Sequence, residues 1–152
     1  MKLGDNLIRF FKKQDCIIIA TIDKEGTLHA SCKGLIDIEE AGIVRLLDLY
    51  KGRTYGNLKR NNNISLIAVN ERNFEGYCLK GKAEITPKKD LTPKIIEKWD
   101  KRLTSRITKR LIENVRSQKK QKFHAEAQLP KPEYLLSVKI EKIVNLRPGN
   151  IE

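Results

Sequence analysis

Apolar and polar residues change their spacing twice along the chain. Over residues 5–14, Leu7, Ile8, Phe10 and Phe11 gather on one helical face, and Lys12 and Lys13 stand where cations suit the helix dipole. A short helix covering a barrel mouth is predicted there. From residue 16 the pattern becomes that of strands. Residues 16–23 (CIIIATID) are rich in β-branched side chains and run into Lys24-Glu25-Gly26, a hairpin-type turn. Further strands are predicted over 27–33, 35–39, 43–50, 64–70 and 76–86, with Gly34, Glu40-Ala41-Gly42 and the polar stretch 71–75 between them. In the last of these Tyr77, Leu79, Gly81, Ala83 and Ile85 share one face, and the small residues among them suit a tightly curved sheet. Six short strands at regular spacing predict a closed antiparallel barrel.

After Pro87 the spacing lengthens. Thr92-Pro93 can start a helix, and Ile95, Ile96, Trp99, Leu103, Ile107, Leu111, Ile112 and Val115 recur three and four apart on an otherwise basic segment. Thr104-Ser105 offers a point at which it can divide into two helices, and the segment is expected to dock on the barrel with a solvated cationic face. Residues 118–128 read as polar loop and 129–132 as extended linker. A last strand over 134–146 alternates at Leu136, Val138 and Ile140 until its register slips near Ile143 and Val144. The expected architecture is mainly β: a single domain over 1–152, a barrel with an N-terminal helix and a basic helical insertion, 88–128, before the last strand.

A chain of 152 residues is long enough to bury a substantial core. Its longest uninterrupted apolar run, residues 16–20, is far short of a membrane span, and a soluble, cytoplasmic protein is expected. Cys16, Cys32 and Cys78 are odd in number and widely spaced, suggesting neither a disulfide framework nor a zinc knuckle. His29 and His124 are the two imidazoles, and no structural metal is expected.

The net charge of +12 at first suggests a nucleic-acid partner, but its distribution argues otherwise. Residues 88–122 hold 13 basic and 4 acidic side chains, and so carry most of the excess. That segment has no aromatic interleaving of the kind that stacks bases, and nucleic acid is not the expected partner.

The candidate chemistry lies at Gly52-Arg53-Thr54-Tyr55-Gly56-Asn57, where a strand exit turns into a short helix. Thr54 reads as its N-cap and Asn57 as a weak capping-box partner. A helix start leaves backbone N–H groups unpaired, Arg53 lies beside them, and Gly56 leaves room for close approach. Together these describe a phosphate seat, although an ordinary capped helix with a solvated arginine has the same spacing.

The order of the pieces carries a resemblance. A strand with a D-x-x-G turn (19–26), H-x-S-x-K-G (29–34), D-x-x-K-x-R-T and its short helix (48–61), and G-Y-x-L-K-G-K-A-E-I (76–85) resemble the pyridoxamine 5′-phosphate oxidase-like FMN-binding split barrels. The look is nearest to the small FMN-binding and general-stress-type members.

The resemblance implies a homodimer with one FMN per subunit at the interface. It places the phosphate on Arg53 and Thr54 with Asn57 near the helix start, the flavin ring along Ala30, Ser31, Cys32 and Lys33, and contacts from the Asp48, Leu49 and Tyr50 backbone. It also implies redox use of the ring as an oxidoreductase, with a reduced nicotinamide as one electron donor. The same barrel hosts deazaflavin-using and haem-handling members, so those cofactors stand as alternatives. True pyridoxamine 5′-phosphate oxidases carry a tryptophan ahead of an R-L-x-P ending. Here the end is Asn145-Leu146-Arg147-Pro148-Gly149, and activity on that vitamin phosphate is not expected.

Within this frame Ser31 is the side chain expected to meet the flavin, and Cys32 is expected to be packed rather than redox-active. Lys33 reaches either the cofactor or solvent, His29 and Trp99 are structural, and Tyr50 and Tyr55 stack near the cofactor or pack. No residue is singled out as catalytic. The alternative from another class is a non-enzymatic binding protein: a flavin carrier or sensor, or a binder of an anionic partner through its basic helices.

Overall fold

The computed structural model describes residues 1–116 and 131–149. Six strands, β1 (Ile17–Ile22), β2 (Leu28–Ile38), β3 (Ile43–Asp48), β4 (Asn63–Asn70), β5 (Glu75–Pro87) and β6 (Tyr134–Asn145), close into a barrel in the order β1-β2-β3-β6-β5-β4. Every neighbouring pair is antiparallel. The expected mainly-β barrel with a helical segment before its last strand is therefore the observed fold.

Alternation explains which side chains fill it. Ile17, Ile19, Leu35, Val44, Leu46, Leu66, Leu79, Leu136, Val138 and Ile140 are all buried in one core. Each contributes about 1.5–3 kcal/mol through the apolar surface it removes from water. Two helices stop the ends. α1 (Asp5–Lys12) buries Leu7, Phe10 and Phe11 in one mouth, with Phe10 edge-on to Tyr77 at 5.1 Å. α2 (Arg53–Arg60) buries Thr54, Asn57 and Leu58 at the other.

Two glycines have demanding surroundings. Gly42 has φ +85° at the β2–β3 turn, where a Cβ would meet the Met1 carbonyl oxygen. At Gly81 a Cβ would collide with the Lys139 carbonyl oxygen. There the β5–β6 register shifts, from Lys80↔Lys142 to Gly81↔Ile140. Glu141 is the extra residue, which is the physical source of the slip near Ile143 in the sequence pattern.

Two expectations are corrected. Gly34 does not end a strand: it pairs with Leu47 inside a continuous β2, and the irregularity is a bulge between Leu35 and Asp37. Thr104-Ser105 does not divide the basic segment either, since α3 runs unbroken over Pro93–Arg116. Serine and threonine cost only a few tenths of a kcal/mol inside a helix. Arg102 and Arg106 on either side of them both meet the barrel. The loop expected at 118–128, the first half of the linker and His124 lie outside the described residues.

α3 crosses the outside of the barrel over β2, β3 and β6. Ile95 and Trp99, with Leu91 ahead of the helix, pack against Ile36, Leu47 and Leu135. The solvated cationic face is also corrected in part, because three of its cations point inward to oxygen atoms or backbone. Lys98 pairs with Asp37 at 2.6 Å, Arg102 Nε donates to the Leu35 carbonyl at 3.1 Å, and the Arg106 guanidinium lies over Gly34. The outer face of β2 presents a carboxylate and an accessible carbonyl, and long cationic side chains reach them while their stems cover apolar surface. Farther along, Leu111, Ile112 and Val115 are exposed.

Candidate functional site

The site has two parts joined through the end of the barrel. The first is the start of α2. Its N-cap is Gly52, in extended backbone and with no side-chain capping bond, so Thr54 is the second residue of the helix rather than its cap. The N–H groups of the first turn therefore have no side-chain acceptor at the cap, and Arg53 stands exposed beside them. The Thr54 hydroxyl instead meets Ser31 Oγ at 3.1 Å, and Asn57 Nδ2 donates to Thr21 Oγ1 at 3.0 Å. These two contacts, the first part-buried and the second buried, fix the helix against β2 and β1, holding Arg53 and the open turn at the barrel's rim.

The second part is a cleft of ≈ 310 Å³ between β2, β3 and α3. Ile36, Leu47, Leu49, Tyr50 and Trp99 give it apolar and aromatic walls, and Cys32, Lys33, Asp48 and Arg106 are among its polar residues. Beneath it lies a buried network. Lys33 Nζ is 2.6 Å from Asp48 Oδ2, the Tyr134 hydroxyl donates to the same oxygen at 2.6 Å, and the Leu49 N–H donates to Asp48 Oδ1 at 2.8 Å. Burial, then the hydrogen bond to Asp48, push the Tyr134 phenol far above its ordinary value, so it remains a donor at every physiological pH. Tyr55 of α2 packs edge-on to Tyr134 at 5.0 Å, linking the helix start to the cleft floor.

Nine of the ten predicted site residues fall into these two groups, and Ala30 falls in neither. Cys32, Lys33, Asp48, Leu49 and Tyr50 line the cleft, and Ser31, Arg53, Thr54 and Asn57 belong to the helix start. Ala30 is exposed on the outer face of β2, opposite Ala20. Ser31 turns its hydroxyl inward to Thr54, whereas Cys32, expected to be packed, is exposed on the cleft side. Lys33 goes neither to solvent nor to the open helix turn, because Asp48 holds it. His29 is a half-buried strand residue, as expected.

Asp15, Cys16 and Arg106 line the cleft although the sequence pattern does not mark them, and Trp99, expected only to pack, lines it as well. One signal was available: a glycine inside a strand often marks the close approach of another group, and the group over Gly34 is Arg106. Among the described residues no cluster of three or more metal-ligating side chains occurs, and no helix is long and apolar enough to cross a membrane.

A closed six-stranded barrel with a helix start beside an aromatic-walled cleft defines the class of fold. The profile of the pyridoxamine 5′-phosphate oxidase family matches residues 3–146, and the chain belongs to that family. Among solved structures it is similar to HupZ of Group A Streptococcus, at 18% identity and a TM-score of 0.68, covering 99% of this chain and 98% of that one. An F420 reductase is similar at 14% identity and a TM-score of 0.59, covering 93% and 98% of the two chains. A protein related to general stress protein 26, from Clostridium acetobutylicum, is similar at 16% and 0.56, covering 99% and 100%. No curated protein matches the chain. At these identities the structural likeness concerns the fold.

Proposed function

We propose that the chain is an FMN-binding flavoprotein acting as an oxidoreductase, a homodimer with the flavin at its interface and a reduced nicotinamide as electron donor. The observation that carries this reading is the helix start at Gly52 and Arg53, without a side-chain cap, beside a cleft walled by Leu47, Leu49, Tyr50 and Trp99.

The residues present fit the group. A dianionic phosphate suits an arginine together with helix-terminal N–H groups. A flat, largely apolar ring suits the aromatic and aliphatic walls of the cleft. Bound FMN would supply the electron chemistry of its isoalloxazine ring, and the chain supplies position and electrostatics. In that division of work Arg53 binds the phosphate, Ser31, Thr54 and Asn57 hold α2 in place, and the Lys33–Asp48–Tyr134 network keeps the cleft floor rigid. Ile18 and Leu28, exposed on β1 and β2, offer apolar surface for a second copy. The ending Asn145-Leu146-Arg147-Pro148, with no tryptophan ahead of it, favours a substrate other than pyridoxamine phosphate. Docking of Lys98, Arg102 and Arg106 onto the barrel speaks against α3 being chiefly a surface for polyanions.

The test is a visible absorbance spectrum of the purified protein, followed by titration with FMN, riboflavin, the deazaflavin cofactor and haem. Tight binding selective for FMN, with reduction of the bound flavin by NADH or NADPH, is the expected result. Selective binding of the deazaflavin or haem would move the chain to another branch of the family, and binding of none of the four would remove the cofactor reading.

A further inference from the structure

We propose that Cys16 and Cys32 form an oxidisable dithiol at the edge of the cleft, which a low-molecular-weight disulfide of the glutathione class converts reversibly into an intrachain disulfide. The inference stands without the flavin reading, because it rests on the two strands alone.

The pairing of β1 with β2 sets Ile17 opposite Lys33 and Ile18 opposite Cys32. Continued one residue outward, it puts Cys16 opposite Gly34 and diagonal to Cys32, on the same face of the sheet. Both residues line the same cleft and both are exposed, whereas Cys78 is buried. A diagonal pair within a rigid ladder is about 7–8 Å apart, wide for a disulfide. Cys16 lies just before β1 begins, however, where the ladder does not pin its backbone. The facing Gly34 has no side chain of its own, and the long Arg106 side chain that lies over it must move aside for the bond to form.

Burial and then the neighbouring Cys32 raise the Cys16 thiol above its ordinary value, against an opposing effect of Arg110. That shift makes Cys16 the slower of the two to ionise, so Cys32 is taken as the first attacking group.

The exchange proceeds in two displacements. The Cys32 thiolate attacks one sulfur of the small disulfide, forming a mixed disulfide and releasing one small thiolate. Cys16 then loses its proton and attacks the Cys32 sulfur, releasing the second small thiolate. Two protein thiols are oxidised to one disulfide, the small disulfide is reduced to two thiols, and the two protons end on those thiols. The new bond ties the start of β1 to β2 beside Arg106, at the edge of the cleft.

The experiment uses the full chain, purified without added cofactor and incubated folded with oxidised glutathione, then alkylated, digested with trypsin and mapped by mass spectrometry. The expected product joins peptide 14–24 to peptide 25–33, leaves Cys78 alkylated, lowers the intact mass by about 2 Da, and reverts with dithiothreitol. A Cys16→Ser variant is expected to trap glutathione on Cys32. The proposal is overturned if wild-type protein carries separate glutathione adducts on the two cysteines, links either to Cys78 or to a second copy, or leaves both unreacted. It is equally overturned if Cys32 stays unmodified in Cys16→Ser.

Discussion

Lys33 reaches across the β2–β3 pair to Asp48, Nζ to Oδ2 at 2.6 Å, with 17% and 6% of the two side chains exposed. Tyr134 donates to the same carboxylate oxygen. Asp48→Asn would leave a mostly buried ammonium without its counter-charge, and a loss of about 3–5 kcal/mol of stability is expected. Urea denaturation of the single variants and of Lys33→Met/Asp48→Asn checks the coupling. The double variant should lose clearly less than the two singles together, and strict additivity would show that the pair does not act as a unit.

Arg53→Ala should weaken FMN by about 10- to 100-fold, the worth of one charge-assisted contact of about 1.5–3 kcal/mol. Riboflavin, which has no phosphate, should be nearly unaffected. Fluorescence titration of both ligands separates the cases, and an equal loss for both would remove the phosphate from Arg53.

Trp99 is the chain's single tryptophan and lines the cleft. Saturable quenching of its emission is therefore expected as FMN is added, with the midpoint seen in flavin fluorescence. Emission unchanged across a completed flavin titration would place the ring away from α3.

Gly81 and Gly56 should respond in opposite directions. Gly81→Ala drives a Cβ against the Lys139 carbonyl, and a loss of about 2–4 kcal/mol is expected from a backbone that must shift at the β5–β6 bulge. Gly56 has nothing within 4 Å of a built Cβ and sits within α2, so Gly56→Ala should raise the stability of the cofactor-free chain by about 0.5–1 kcal/mol. Thermal melts of the two variants check both signs.

The tie between α3 and β2 should loosen in acid. Burial raises the Asp37 carboxyl, but the hydrogen bond and charge of Lys98, together with the Ile38 N–H and the Arg45 charge, outweigh it, and the carboxyl titrates below its ordinary value. A depressed folded value means that the contribution is complete above the unfolded carboxylate range and is lost as pH falls through the folded value. Lys98→Met should therefore cost about 0.5–1 kcal/mol at neutral pH, the range for partly exposed pairs, and progressively less as Asp37 protonates. A cost independent of pH would mean that Lys98 acts by packing.

The barrel was legible because most strands bury one face and alternate accordingly, as at Val44, Leu46 and Leu136. Gly34 misled because glycine is more often a break than a mid-strand residue, and only the facing Leu47 reveals that the ladder continues. Thr54 resembled a cap because threonine favours that position, yet the chain turns two residues earlier, and the hydroxyl is committed to Ser31 by a contact between distant parts of the sequence. The same limit hid the cleft. Cys16, Cys32 and Arg106 meet only through strand register and helix docking, which local periodicity does not encode. The inward cations of α3 were illegible for a related reason, since a lysine or arginine on a helix is normally solvated and its acceptors here belong to β2.

The position of β6 has a consequence for synthesis. It lies between β3 and β5 and pairs with both, so the two strands that flank it, complete by residue 87, have no ladder partner on that side until residues 134–145 leave the ribosome. Until then the nascent sheet carries two open edges, each a template for pairing with another chain. Closure waits on contacts of high sequence separation, a slow class of folding event. Chaperone dependence and aggregation during expression should therefore be decided in the interval between the emergence of β5 and the emergence of β6 from the ribosome.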